Sequence, residues 1–275
     1  MPKLAHSIEA SLVLVEDPKN VRAPEGCPEP WFWVRGDDLV GLTEGDPVEL
    51  WPDRMDSGVV MDEAPAFNNS PLPVFSENVA DGIGGIRADG VQFNGARLRD
   101  PDFAQEKPMP DGFTVFVVLT EKGPVNIWEG FWAGQTGGGD NGFFNFYVGG
   151  PIWQPPLGEV YAEYVQFGSP PGVSVYYGST RLIEFPVGVC WKVGPRQFDL
   201  TLNGTPLPID PDYDHGPEEL PSWDVTPVWR NLELFSFRDE EQTAEVIIFD
   251  TVLTPECEAQ WWSYLAGRYP SLGVS

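Results

Sequence analysis

Two glutamates in one strand-like segment are the first residues that could do chemistry. Within EVYAEYVQF, residues 159–167, Glu159 and Glu163 fall on the same face of a strand. Carboxyl pairs that cleave glycosidic bonds lie about 5 to 5.5 Å apart in retaining enzymes and about 6.5 to 9.5 Å apart in inverting ones. Four residues at about 3.3 Å each separate these two glutamates by about 13 Å. The spacing argues against this pair, and carboxylates from different strands are the alternative.

Histidine, the commonest general base, is scarce in this chain. Of two histidines, His6 lies near the start and His215 in an acidic segment, and neither belongs to an HExxH or other paired-histidine pattern. Serine or cysteine hydrolysis through a histidine base is therefore not expected. We predict that the protein is not an enzyme.

A glycine-rich segment, GGGDNG at residues 137–142, matches the letters of the dinucleotide fingerprint GxGxxG. Strand-like segments flank it and no helical pattern follows, so a dinucleotide site is not expected. Asp140 and Asn141 within it are candidates for binding a sugar hydroxyl or a cation.

Aromatic residues near this segment are candidates for stacking on sugar rings. The predicted carbohydrate-binding residues are Trp132, Asp140, Asn141, Trp153, Tyr161 and Tyr164. The alternative is that the aromatic residues among them are core, because sandwiches fill their interiors with alternating inward aromatics.

An acidic segment, IDPDYDHGPEELPSWD at residues 209–224, begins like an EF-hand loop with Asp210, Asp212 and Asp214. It then has His215 where the loop needs glycine and Pro221 where it needs a bidentate glutamate. We expect no cofactor and a solvated loop here. The alternative is Ca²⁺ held irregularly by oxygens of the three aspartates.

Charge and cysteine content exclude several classes of function. The 42 acidic and 16 basic residues give a net charge of −26, which repels nucleic acid and anionic lipid. No apolar run approaches the roughly 18 residues of a membrane span, and the first residues lack the pattern of a secretory signal. Such acidity indicates either a hypersaline setting or an ordinary acidic protein.

The cysteines Cys27, Cys190 and Cys257 show no CxxC spacing, and we expect three thiols.

Short segments rich in β-forming residues dominate the chain. They lie at 12–15, 31–34, 48–51, 113–120, 125–132, 143–148, 159–167, 173–177, 188–193, 197–202, 231–237 and 245–249. Gly, Pro, Asn and Asp separate them, which is typical of tight antiparallel connections. Asn203-Gly204 predicts a type I′ turn after residues 197–202, in a ribbon with one face inward.

One helix is predicted, close to the end of the chain. Thr254 suits the N-cap and Pro255 the first helical position, while Gly267 and Pro270 mark the end. Trp261, Trp262 and Leu265 form an apolar stripe. We expect this stripe to cover the open rim between two sheets. The predicted fold is all-β, an antiparallel two-sheet β-sandwich or jelly roll with one short C-terminal helix.

Six segments together carry a resemblance to a known family. They are residues 30–58, 90–98, 113–119, 198–207, 229–237 and 244–270, with PWFWVRGDDLVGL, FTVFVVL, FDLTLNGTPL and AEVIIFDTVLTPECEAQWWSYLAGRYP among them. In this order they resemble a concanavalin A-like lectin/glucanase domain. More narrowly they are similar to the laminin-G-like jelly rolls of tailed-virus structural proteins and microbial surface proteins. The family's glucanases carry an ExDxxE signature, which we expect to be absent from this chain, and its absence would argue against glycoside hydrolysis.

The resemblance implies an organisation and a function. It covers residues 28–275 as one sandwich domain and leaves residues 1–27 as an extension or anchoring strand. We expect a non-enzymatic structural protein at a virion surface, as a capsid decoration, turret or fibre component. Its expected partners are other virion proteins, further copies of itself and a host glycan, without nucleic acid or membrane insertion. The alternative is a cell-surface or secreted carbohydrate-binding module or glycoside hydrolase.

Overall fold

A computed structural model gives the fold. It describes residues 23–55, 57–59, 61–63, 72–87, 96–99, 107–121, 129–134, 142–148, 160–166, 186–195, 197–207, 228–229, 233–236 and 241–274. The predicted strands at 12–15 and 173–177 lie outside these residues, as does nearly all of the predicted extension at residues 1–27.

Strands make up most of the described chain, and one α-helix follows them. The strands are β1 Phe32–Arg35, β2 Leu50–Trp51, β3 Met61–Glu63, β4 Val74–Ala80, β5 Ile83–Arg87, β6 Ala96–Arg99, β7 Lys107–Pro108, β8 Phe113–Glu121, β9 Glu129–Gly134, β10 Gly142–Val148, β11 Val160–Gln166, β12 Val187–Gly194, β13 Gln197–Leu202, β14 Thr205–Pro206, β15 Val228–Trp229, β16 Glu233–Ser236 and β17 Glu241–Phe249. The helix is α1, Pro255–Arg268. Short 3-10 helices lie at Gly36–Asp38 and Pro270–Leu272.

Two large antiparallel sheets form the predicted sandwich. Sheet A has the order β14-β13-β12-β8-β17-β5-β4, with β1 also paired to β17. Sheet B has the order β11-β10-β9-β16-β6-β3-β2, and β7 pairs with β15 separately. The all-β fold with a short C-terminal helix is therefore confirmed. No helix among the described residues has the length and apolar character required to cross a bilayer.

The first hydrophobic core lies between the sheets. Val115, Val117 and Val246 of sheet A belong to it, together with Trp51 and Met61 of sheet B, and all five are fully buried. Because alternate residues of a strand lie on opposite faces, the residues between these valines belong to the other face of sheet A.

A second hydrophobic core lies on that other face, which we call the outer face of sheet A. Phe116 and Ile247, which alternate with the first-core residues, are fully buried there beneath Trp261, Trp262 and Leu265 of α1. The helix therefore packs on a sheet face, and the expectation that it covers the rim between the sheets is wrong. The apolar stripe was identified correctly, but a stripe alone does not specify which apolar surface it meets.

Aromatic pairs connect the helix to the outer face of sheet A. The rings of Trp262 and Phe116 lie 5.2 Å apart between centroids, as do those of Trp261 and Phe249, and Trp261 lies 5.5 Å from Trp33. All three pairs meet edge to face, a geometry that contributes about 0.5–1.5 kcal/mol per pair beyond the buried area.

The bounds of α1 follow from local signals in the sequence. The Thr254 side chain accepts a hydrogen bond from the Cys257 backbone N–H at 3.3 Å, and Pro255 occupies the first turn, as predicted. The helix ends at Arg268, and the Tyr269 N–H donates to the Leu265 carbonyl at 2.7 Å.

A buried carboxylate, Glu245 of β17, lies beneath α1 and receives four hydrogen bonds. Trp33 Nε1 donates at 2.6 Å, Tyr264 Oη at 2.8 Å, Arg268 Nε at 2.9 Å and Tyr269 Oη at 2.8 Å. Burial, followed by the charge of Glu245, raises the pKa of both tyrosines, so the phenols stay protonated as donors. Three of the four donors come from the helix or its C-terminal end, so the carboxylate fixes the position of the helix on the sheet.

Asp37 extends this polar contact to the surface. It lies 2.5 Å from Arg268 and 2.8 Å from the fully buried Arg35. Burial alone would raise the pKa of Asp37, but the hydrogen bonds and charges of Arg268 and Arg35 outweigh it and lower the pKa. This stabilisation is present above the ordinary pKa of an aspartate and is lost as the pH falls through the lowered value.

The predicted hairpin is confirmed, with one correction. Asn203 and Gly204 have φ angles of 45° and 77°, as a type I′ turn requires. Leu200 faces the first core, but Thr201 is only 3% exposed because its hydroxyl donates to Glu258 of α1 at 2.9 Å. The expectation of a ribbon with one inward face is wrong here, since α1 covers the second face.

The hairpin of β4 and β5 was missed in the sequence because glycines interrupt its pattern. A Cβ at Gly85 would overlap the Thr243 carbonyl oxygen of β17, and one at Gly36 would overlap the Gly84 carbonyl oxygen. These glycines allow close approach of backbones, which the alternation of apolar residues does not reveal.

Cys27 and Cys257 form a disulfide, with their Cα atoms 5.5 Å apart, so the expectation of three thiols is wrong. Cys190 is the free thiol. The pairing left no local signal because 230 residues separate the two cysteines in sequence. It joins the segment before β1 to the first turn of α1.

Replacing Glu245 with glutamine tests whether the buried carboxylate positions the helix. Glu245→Gln removes the negative charge that lies against the largely buried guanidinium of Arg268. We expect it to lower the free energy of unfolding by about 3–5 kcal/mol. Glu256→Gln, at an exposed position of the same helix, is the matched control and should cost less than about 1 kcal/mol. Urea denaturation measures both. A cost for Glu245→Gln as small as that of the control would contradict this role.

Candidate functional site

The structure describes three of the predicted carbohydrate-binding residues through their strand positions. Trp132 lies in β9, and Tyr161 and Tyr164 lie in β11. Asp140, Asn141 and Trp153 lie outside the described residues, and so do the predicted metal ligands Asp210, Asp212 and Asp214. These assignments stay predictions.

Strand pairing gathers several polar and aromatic residues in one row across sheet B. Trp132 of β9 lies opposite Asn145 of β10, which lies opposite Glu163 of β11. In the other direction, Trp132 lies opposite Phe235 of β16, and Phe235 opposite Arg97 of β6. Opposite residues share a face of the sheet, so the five residues form one cross-strand row.

Strand β2 identifies which face of sheet B carries this row. Leu50 is 49% exposed, whereas Trp51 is fully buried in the first core. We call the face of Leu50 the outer face of sheet B and the face of Trp51 its inner face. The register assigns to the outer face Asp62, Arg97, Arg99, Gly130, Trp132, Gly134, Phe143, Asn145, Tyr147, Tyr161, Glu163, Val165, Glu233 and Phe235. Tyr164 belongs to the inner face, so we do not expect it to contact a glycan bound on the outer face, and the prediction that it binds carbohydrate does not fit a site there.

Glycines lie on both sides of Trp132 on this face. Gly130 and Gly134 are two residues before and after Trp132 in β9, so all three share the outer face of sheet B. Glycine within a strand often marks a place where a ligand or another backbone approaches closely. The pattern Gly-x-Trp-x-Gly therefore indicates a position where a ligand can reach the sheet beside an aromatic residue.

The row combines residue types that suit a sugar better than a reaction. An aromatic residue suits the apolar face of a sugar ring, while an amide and a carboxylate suit its hydroxyls. Glu163 and Glu233 are three inter-strand gaps apart across the sheet and two residues apart along it, about 16 Å in all, which exceeds the separation of a glycosidase acid pair. Asp62 and Glu233 each lie opposite Arg99, an arrangement of opposite charges that stabilises a sheet.

The expectation that the ExDxxE signature is absent is wrong, because its letters occur once, in EGDPVE at residues 44–49, which overlaps the strand-like segment 48–51. The segment runs beside β4 at the edge of sheet A, where Glu44 pairs with Arg87 at 2.6 Å. Asp46 accepts hydrogen bonds from the backbone and side chain of Thr43, which lower its pKa. The acids are used in local contacts, so the motif does not form the glucanase arrangement on one strand.

No group of three or more His, Cys, Asp or Glu residues in the described part of the chain is placed to hold a metal ion. The sequence analysis proposed Trp132 and Tyr161 as sugar-binding residues but did not single out Asn145, Phe235 or the flanking glycines, which share the outer face of sheet B with them. The pattern of glycines around Trp132 can be read directly from the sequence of β9, whereas the alignment of Trp132 with Asn145 of β10 and Phe235 of β16 is visible only through the register.

Comparisons with known proteins give distant structural similarities. No protein-family model matches the chain, and no curated protein matches it. A Trypanosoma rangeli sialidase in complex with sialic acid is similar with a TM-score of 0.45 and 14% identity, over 84% of this chain and 32% of that one. The same sialidase in complex with 2,3-difluoro-KDN has a TM-score of 0.48 and 12% sequence identity, and the similarity covers 85% of this chain and 32% of the sialidase chain. The globular domain of T. cruzi calreticulin has a TM-score of 0.49 and 10% sequence identity, and the similarity covers 89% of this chain and 94% of the calreticulin domain. This chain thus spans about a third of the sialidase chains.

Proposed function

We propose that the protein is a non-enzymatic carbohydrate-binding β-sandwich whose glycan lies on the outer face of sheet B. The observation that carries this proposal is the cross-strand row, in which Trp132 lies between Gly130 and Gly134 along its strand and next to Asn145 across it. Tyr161 shares the same face and contributes a second aromatic residue with a polar end.

The net charge of the chain narrows the type of ligand. A charge of −26 repels polyanions, and the outer face of sheet B offers two arginines, of which Arg99 lies between two acidic residues. A neutral glycan, bound by stacking and by hydrogen bonds to its hydroxyls, avoids this repulsion. We therefore expect neutral sugars to bind more tightly than sulfated or uronic ones.

The setting that we propose is the surface of a virus particle, where the protein serves as a capsid decoration, turret or fibre component that binds a host glycan. The family resemblance in the sequence supports it. The Cys27–Cys257 disulfide also supports it, because disulfides persist at virion and cell surfaces and are rare in the cytosol. The high acidity suits a medium of high salt, in which self-repulsion is screened.

Substitution of Trp132 tests the proposed glycan site. We expect the wild-type protein to bind neutral glycans on an array, and Trp132→Ala to weaken binding by about 30-fold or more, equivalent to about 2 kcal/mol. Tyr161→Phe should also weaken it. Tyr164→Phe, on the opposite face of the same strand, and Val40→Ala, at a residue that is 85% exposed, should not.

Thermal unfolding of each variant confirms that the fold is kept. Absence of any binding on the array contradicts the proposed function, whereas cleavage of bound glycans supports the glycoside hydrolase alternative. Equal losses for Tyr161→Phe and Tyr164→Phe would show that the outer face of sheet B is not the site.

Oligomeric state tests the structural part of the proposal. A component displayed in many copies is expected to form a closed symmetric oligomer. In about 2 M NaCl, where the Debye length falls to about 3 Å or less, charge repulsion between copies is removed. We expect sedimentation velocity in this buffer to show an oligomer of fixed size. A monomer over the whole concentration range would contradict a self-assembling virion component.

A further inference from the structure

The segment Ala23–Pro30 is joined to α1 by one covalent bond, the Cys27–Cys257 disulfide, and its last residue, Pro30, is buried beside β1. In the described part of the chain its backbone hydrogen bonding is internal, from the Cys27 N–H to the Pro24 carbonyl at 3.0 Å. The next bond to the sandwich is from the Trp31 N–H to the Ile248 carbonyl at 2.7 Å. Ala23 and Cys27 pack at the margin of the second core. The disulfide is thus the strongest link between this segment and α1.

The two sulfur-bearing residues differ in exposure. Cys257 is 7% exposed, within the second core, whereas Cys27 is half-buried at the surface. Thiol–disulfide exchange requires a thiolate to approach one of the two sulfur atoms in line with the bond. An external thiol therefore reaches the sulfur of Cys27 more readily than that of Cys257.

The position of Cys257 favours its departure as a thiolate. It is the third residue of α1, where the backbone N–H groups and the helix dipole stabilise negative charge. Its burial in the second core and the charges of Glu256 and Glu258 in the same turn oppose this effect, although Glu258 is paired with Lys192 at 2.7 Å. A more stable thiolate is the better leaving group in exchange.

Cys190, the remaining thiol, lies in the same second core and is 1% exposed. Burial, followed by the charge of Glu258, raises the pKa of its thiol well above the ordinary value. The group stays protonated, and only thiolates exchange with disulfides. Cys190 therefore does not exchange with either sulfur of the Cys27–Cys257 disulfide.

We propose that the Cys27–Cys257 disulfide is a reducible staple, which an external thiol opens at Cys27 so that the segment 23–30 is released while α1 stays on sheet A. In the first step a thiolate attacks the sulfur of Cys27, a mixed disulfide forms there, and Cys257 leaves as a thiolate that takes a proton from water. In the second step another thiol attacks the external sulfur of the mixed disulfide, which restores the Cys27 thiol and releases the oxidised external reagent. The inference does not depend on the proposed glycan site.

The site of attack is tested with glutathione as the probe. The native full-length protein is incubated with glutathione, quenched with acid, and mapped by peptide mass spectrometry without reduction. We expect the adduct on Cys27 in large excess over Cys257, and no adduct on Cys190. An adduct mainly on Cys257 would overturn the direction of opening. A disulfide that stays intact until the protein unfolds would overturn the proposal altogether.

Release of the segment is tested by hydrogen–deuterium exchange with and without dithiothreitol. We expect exchange in residues 23–30 to rise at least about tenfold on reduction, and exchange in α1 and β17 to change less than about twofold. Cys27→Ser should show the released pattern without reductant, and Cys190→Ser should respond like the wild type. Unchanged exchange in residues 23–30 would overturn the release. Loss of protection throughout α1 would show instead that the bond is needed for the whole fold.

Discussion

Burial of sheet A on both faces is the constraint on which the rest of the structure depends. One face meets sheet B through the first core, and the outer face meets α1 through the second. Strands with both faces buried must be apolar on both, which explains the runs VFVVL of β8 and VIIF of β17. One exception is Glu245, whose charge is tolerated because four donors surround its carboxylate. A polar group with this many partners specifies where the helix lies more sharply than apolar contacts alone.

Local features of this fold could be predicted from the sequence because their causes are local. Thr254 and Pro255 start α1 through a cap and a fixed φ angle, and both depend on residues within one turn. Asn203 and Gly204 form the hairpin turn because they tolerate positive φ. Strands β8 and β17 could also be predicted, because their runs of β-branched and aromatic residues favour a strand over a helix. Each of these is decided within a few residues of sequence.

Features that depend on distant residues could not be predicted in this way. The disulfide joins residues separated by 230 positions, and the apolar stripe of α1 is compatible with a rim as well as with a face. The hairpin of β4 and β5 depends on glycines that β17 and the 3-10 helix at Gly36–Asp38 approach. For the candidate site, aromatic residues such as Trp132 could be proposed from their type, but the row of Trp132, Asn145 and Glu163 depends on the register of sheet B. Register is set by the whole sheet and not by any one strand.

The two-sided burial also connects the fold to the proposed function. Since α1 occupies the outer face of sheet A, we propose that a ligand binds on the outer face of sheet B. Hydroxyl-radical footprinting of the native protein, with oxidation measured at each tryptophan, tests this division most directly. The account predicts that Trp132 is oxidised rapidly while Trp261 and Trp262 are protected. Rapid oxidation of Trp261 and Trp262 together with protection of Trp132 would contradict it.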